Sequence, residues 1–398
     1  MTRDLLIRNV RPWGRESADI LMRGDRIARI APGLAADGAA EEDGGGAIAI
    51  PGLVEAHTHL DKSLIGMGWR RHQAGPSLLD KIETERRLKR EWNIDPRRQS
   101  ARQVVLSVGH GTTAIRSHVD IDTEIGLAGF EGVTATREDY RDAVEIEIVA
   151  FPQSGLMCRP GTLELMDAAL AGGADVVGGL DPCAIDRDPK GQLDAVFGLA
   201  EKHGKPVDIH LHEEGELGAF SMELIIERTR ALGMQGRVTI SHAFCLGMPD
   251  RDRARALTAA LAETRIAVAT VATPSRPVPS AAELRDAGVT LCAGSDGIRD
   301  TWGPYGNADM LERAMLLGLR NSFRSDEDVE HALRVCTQGG AAVMALVDYG
   351  VAEGAWADLV LVDAEAVAEA VVAHPPRRLV VRRGRVVGRN GRALIRAP

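Results

Sequence analysis

Short apolar runs recur along this chain, and the material between them changes character twice. From Leu5 to about Ile50 the runs are brief: Leu5 to Val10, Asp19 to Met22 and Arg26 to Ile30, with Arg23-Gly24-Asp25 as a turn between the last two. That spacing predicts a small antiparallel sheet. Near the other end, Ala357 to Val362, Arg378 to Arg382 and Arg385 to Val387 repeat it. Strands from both ends are therefore expected to pair into one satellite domain.

Between them, β-branched runs alternate with longer stretches of helical spacing, the pattern of βα units around a parallel sheet. Eight candidate strands can be read: Ala47 to His59, Thr112 to Asp120, Val144 to Gln153, Asp175 to Asp181, Val207 to Glu213, Val238 to His242, Ile266 to Val271 and Val289 to Asp296. Pro96 to Val108 and Ala219 to Leu232 carry helical spacing, and Pro96 suits a first helical position. Eight alternations predict an α/β chain of the (β/α)8 TIM-type barrel class rather than a doubly wound sheet. The expected division is a composite domain of residues 1–50 and 347–398 around a catalytic barrel of residues 51–346. Leu64 to Asn93, long and strongly charged, reads as a helical insertion near the barrel mouth.

Composition narrows the function classes. The chain has 398 residues, 44% hydrophobic and 26% charged, which is ordinary for a globular protein. Its formal charge of −9, with no basic stripe, disfavours a nucleic-acid partner. Cys158, Cys183, Cys245, Cys292 and Cys336 are scattered and form no C-x-x-C, so a reducing cytoplasm is the expected location. The charged Met1-Thr2-Arg3-Asp4 is followed by no long apolar segment, so neither a cleaved signal nor a membrane span is expected. Asp43-Gly44-Gly45-Gly46 lacks G-x-G-x-x-G spacing and reads as a turn.

The chemistry sits at the predicted strand ends, where a barrel of this class collects its active site. His57 and His59 end the first strand, two residues apart and so on one face, with Thr58 pointing away. His118 and Asp120 end the second and Gln153 the third. His210, His212 and Glu213 end the fifth, His242 the sixth and Asp296 the eighth. Six of the eleven histidines thus gather at one rim, which points to a metal or catalytic site. His57, His59, His210 and Asp296 form a ligand set for one borderline cation such as zinc, with a position left for water. No lysine on the third or fourth strand could bridge a second ion. His242 and Asp296 are the candidates to take a proton from water, and Glu213 the candidate to carry one to a leaving amine.

These motifs resemble the amidohydrolase superfamily, in the branch of bacterial cytosine deaminase and N-isopropylammelide isopropylaminohydrolase. The resemblance rests on Pro51-Gly52…His57-Thr58-His59-Leu60-Asp61-Lys62-Ser63, Arg116-Ser117-His118-Val119-Asp120, Ala150-Phe151-Pro152-Gln153-Ser154-Gly155, Asp208-Ile209-His210-Leu211-His212-Glu213, Ser241-His242-Ala243 and Ser295-Asp296-Gly297 through Trp302. It implies a (β/α)8 barrel with a small composite β-sandwich built from both chain ends and one Zn2+ or Fe2+ on His57, His59, His210 and Asp296, with Glu213 as proton shuttle, His242 activating water and Gln153 reading the ring edge. The implied reaction is hydrolytic removal of ammonia or an alkylamine from a nitrogen heterocycle. Cytosine deaminase has an aspartate where Gly297 stands here, so cytosine itself is not the expected substrate.

Several rim residues carry two readings. Lys62 either contacts substrate or pairs with Asp61 or another rim carboxylate. His212 shares the face of His210 by strand period and is a candidate substrate contact, whereas His118 reads as structural. Trp302 either walls the pocket or packs against Pro304 and Tyr305. The expected partners are a small heterocyclic substrate and further copies of the chain. The alternatives to amine removal are hydrolysis of a cyclic amide and a barrel kept only as a scaffold.

Overall fold

The computed structural model describes residues 4–396; Met1-Thr2-Arg3 and Ala397-Pro398, at the outer ends of the expected composite domain, lie outside the described residues. Eight parallel strands follow one another around a barrel: β1 (Leu53–Thr58), β2 (Thr112–Asp120), β3 (Glu145–Phe151), β4 (Val176–Leu180), β5 (Val207–His210), β6 (Val238–Ser241), β7 (Ala267–Thr270) and β8 (Leu291–Ala293). The ring closes between its first and last members just past β8. There the Asp296 N–H donates to the His57 carbonyl at 2.9 Å, and Thr58 Oγ1 donates to the Asp296 carbonyl at 2.9 Å. Gly294 permits the closure, since a Cβ there would lie 2.2 Å from the His57 carbonyl oxygen. Gly294→Ala is expected to cost about 3 kcal/mol, the upper end of the usual overpacking range, measured as a lowered urea midpoint.

The expected first strand, Ala47 to His59, is two strands. Ile48–Pro51 pairs antiparallel with Leu359–Val362 in the second sheet, and Leu53–Thr58 belongs to the barrel. The switch falls at Gly52, where a Cβ would stand 2.1 Å from the Thr113 hydroxyl. The second sheet has nine strands drawn from both chain ends. Leu5, Ile7, Ile20, Met22 and Ile27 share one apolar cluster with Leu359, Leu361, Leu379 and Val381, which holds the ends together.

The charged insertion contains helix Leu78–Glu91, opened by a Ser77/Asp80 capping box. Helix Pro96–Gly109 begins with Pro96 behind an Asp95 cap. Among the described residues no helix is long and apolar enough to cross a membrane.

Apolar residues of the barrel strands, such as Ile115, Ile146, Ile209 and Ile240, pack outward against the helices in the main core. The barrel interior is different. Instead of the aliphatic layers usual there, it holds buried Glu55, His57, Arg116, His118, Asp120, Asp208, His210, Thr239 and Ser241. Arg116 meets Glu147 at 2.5 Å, Asp208 at 3.0 Å and the Val343 carbonyl at 2.9 Å, so its buried charge is fully partnered.

Candidate metal centre

Strand alternation brings His57 and His59 inward from the end of β1, and His210 inward from the end of β5. Asp296 joins them because its own backbone closes the barrel against His57. Each of the four offers one atom, and these atoms all lie within 4.8 Å of one another. Asp296 Oδ1 stands 3.6 Å from His57 Nε2 and 3.2 Å from His59 Nε2. Those separations match ligand atoms that share one ion at about 2.0–2.2 Å.

The donor set fits a cation on a second ground. His57 Nε2 and both His210 nitrogens are buried without a hydrogen-bond partner, an expensive condition unless something else takes the lone pairs. Burial and neighbouring imidazoles hold His210 and His242 well below the ordinary histidine range, so both rings are neutral. His59 goes the other way. Burial and Lys62 oppose its charge, yet Asp120 and Asp296 outweigh them and raise it to about 9. The two carboxylates thus make a place for positive charge beside His59. The imidazoles are buried, and the Asp296 side chain, 34% exposed, opens the cluster to solvent.

His242 lies beside the set, its Nε2 4.0 Å from Asp296 Oδ2. The backbones of His242, Asp296 and Asp181 have φ of 70°, 60° and 37°. Left-handed non-glycine residues at three strand ends are strained, and such strain concentrates at functional sites.

β5 stops at His210, three residues short of the expected end. The Asp181 carboxylate accepts the N–H of His212 at 2.6 Å and of Glu213 at 3.2 Å, drawing that segment off the strand course. The His212 ring nonetheless stays on the His210 side, the two centroids 5.6 Å apart. Its Nδ1 bonds Asp181 at 2.7 Å and its ring stacks on His242 at 4.2 Å. Glu213 Oε1 accepts the N–H groups of Cys183 at 2.8 Å and Ala184 at 2.7 Å, and Oε2 accepts the Ser221 hydroxyl. Burial raises the Glu213 carboxyl despite those bonds, a direction that suits a group exchanging protons near neutrality.

Lys62 pairs with rim carboxylates, though not with Asp61 through a direct bond. Its buried ammonium donates to Asp120 at 3.2 Å, Glu85 at 3.3 Å and Gln153 Oε1 at 2.5 Å. Glu85 and Lys89 reach this pocket from helix Leu78–Glu91, and Lys89 also bonds Asp120. Trp302 packs with Ile82 of the insertion helix and with Phe151, Leu180 and Ile185. His118, fully buried, lies with its ring 4.3 Å from that of His57. At Gly297 a Cβ would stand 1.9 Å from one Asp300 carboxylate oxygen, so a side chain there would have to displace that carboxylate, whose other oxygen accepts the Trp302 and Gly303 N–H groups.

Sequence reasoning missed Glu55, Asp208 and Asp181. Glu55 and Asp208 each stand two residues before a rim histidine, so the same period-2 count carried one step inward reaches them. Asp181 ends the fourth expected strand and could have been found by the strand-end rule.

The sequence profile of the amidohydrolase family matches residues 40–388. N-isopropylammelide isopropyl amidohydrolase of Pseudomonas sp. strain ADP is 30% identical over 392 residues, covering 96% of this chain and 97% of that protein. The crystal structure of N-isopropylammelide isopropylaminohydrolase from Burkholderia multivorans superposes with a TM-score of 0.95 at 53% identity, over 98% of this chain and 100% of that one. That of 5-methylcytosine deaminase from Klebsiella pneumoniae, bound to 5-fluorocytosine, gives 0.85 at 29% identity, over 96% and 97%.

Proposed function

The chain belongs to the amidohydrolase family, and from that premise we propose that it hydrolyses the bond between a small oxo-heterocycle and an exocyclic alkylamine, with N-isopropylammelide as the first substrate to try. The observation that carries this reading is the convergence of His57, His59, His210 and Asp296, with His57 Nε2 and both His210 nitrogens buried and unpartnered. His57, His59, His210 and Asp296 would hold one Zn2+ or Fe2+. When bound, such an ion lowers the pKa of water toward 7 and supplies a nucleophile at neutral pH.

The side chains around it divide the remaining work. His242, neutral and beside Asp296, receives the proton of the attacking water. Glu213 delivers a proton to the departing nitrogen, so that a neutral amine leaves. Gln153, its oxygen engaged by Lys62, turns its amide NH2 toward an acceptor on the ring edge. Trp302, backed by the buried Phe151, forms the apolar side against which a flat ring lies.

The alkylamine choice over simple deamination is supported by the two aminohydrolases that resemble this chain over nearly their full lengths. Gly297 supports it as well, because the Asp300 carboxylate fills the space that an aspartate at that position would need.

The test is metal analysis of the purified protein with mass detection of products from N-isopropylammelide, 5-methylcytosine, cytosine and a pterin. Isopropylamine release, faster than ammonia from the others, is expected. Ammonia release alone would move the assignment to a deaminase, and ring opening without amine release would replace it with cyclic amide hydrolysis.

A further inference from the structure

We infer that Ser241, held by Asp208 and Arg116, is a positioning residue that fixes the tautomer of His57 and so presents its Nε2 lone pair to the cation site, an inference that rests on the metal reading above. The chain of contacts is short and buried. His57 Nδ1 lies 2.9 Å from Ser241 Oγ, and Ser241 Oγ donates to Asp208 Oδ1 at 2.7 Å. Arg116 Nη1 donates to Asp208 Oδ2 at 3.0 Å. His57, Asp208, Ser241 and Arg116 are all at most 2% exposed.

The direction of each bond follows from what each group can do. Asp208, ion-paired with a guanidinium, only accepts. The hydroxyl of Ser241 has a single hydrogen and gives it to Asp208. Toward His57 its oxygen can then only accept, so Nδ1 must carry the ring proton. Nε2 is left with its lone pair, unpartnered and 3.6 Å from Asp296 Oδ1. The opposite tautomer would put a hydrogen where the ion belongs and leave Nδ1 and the Asp208 carboxylate competing for the one hydroxyl hydrogen.

Asp208 cannot swing away to relax this arrangement. Arg116 is pinned by Glu147 and by the Val343 carbonyl. Ser241 is paired with His210 across β5 and β6, so its hydroxyl is fixed in the same layer as a metal ligand. Metal-bound histidines commonly have their second nitrogen held in this way, and loss of the outer partner weakens metal binding.

The experiment uses the full-length protein, metal-free, with 15N-labelled histidine. The His57 signal, assigned by its loss in His57→Gln, should report the Nδ1–H tautomer in the wild type. Ser241→Ala should shift His57 toward the Nε2–H form and weaken Zn2+ binding by about 10–100-fold, read by competition with a chelator. Ser241→Thr, which keeps the hydroxyl, should restore both. An Nε2–H signal in the wild type would overturn the inference even if the variants failed to fold. Unchanged tautomer and unchanged Zn2+ affinity in Ser241→Ala would overturn it as well. A wild type that shows the Nδ1–H tautomer but binds no Zn2+ would sink the metal reading while leaving the Ser241 control of His57 standing.

Discussion

Asp296→Ala should fold as the wild type does and lose its cation. The part of Asp296 that builds the barrel is its backbone: its N–H bonds the His57 carbonyl and its own carbonyl accepts from Thr58. The part that faces the imidazoles is the carboxylate, the only anionic member of the set. Removing that carboxylate leaves three neutral donors at most and takes away the charge that balances a divalent ion. Metal affinity should fall by more than the roughly 100-fold seen when only an outer partner is lost. Turnover should fall by about 10^4-fold or more, since water acidification by a bound ion spans about nine pKa units. Elemental analysis and circular dichroism on the same sample check it. A variant that retains stoichiometric metal and activity would remove Asp296 from the site.

Glu213→Gln should separate metal binding from proton transfer. Glutamine keeps an oxygen for the Cys183 and Ala184 N–H groups, and the amide can donate to Ser221 where the carboxylate accepted. Fold and metal content should therefore persist. What disappears is a proton that can be gained and released at that position. Losing one general acid–base group costs typically 10^2- to 10^4-fold in rate, and amine release should fall by about that factor. Undiminished turnover would show that Glu213 only fastens the segment after β4.

The sequence made the barrel legible because its eight β-branched runs are separated by helical spacing and because polar residues sit at the ends of those runs. It did not mark where strands stop. Past His210 the Asp181 carboxylate, 29 positions before it in the chain, captures the His212 and Glu213 N–H groups, and no local preference reports that. Helix Leu78–Glu91 was legible as an insertion, but its charged side chains read as a solvated surface. Glu85 and Lys89 are instead drawn inward by Lys62 and Asp120, and Glu85 is pushed to about 7 by that burial. The convergence of His57 and His59 was legible because His-x-His fixes two directions at once. The polar layer beneath it, Arg116 with Asp208 and Ser241, was not, because buried charges are placed by one another.

The hydrogen bond between Asp296 and His57 has a mechanical side. The first and eighth strands are neighbours only at this seam, and three of the four groups that would grip an ion, His57, His59 and Asp296, lie on its two edges. An ion held there would be a rivet through the seam, joining the closure of the barrel to the proposed site, and loading it would make the whole ring harder to unzip.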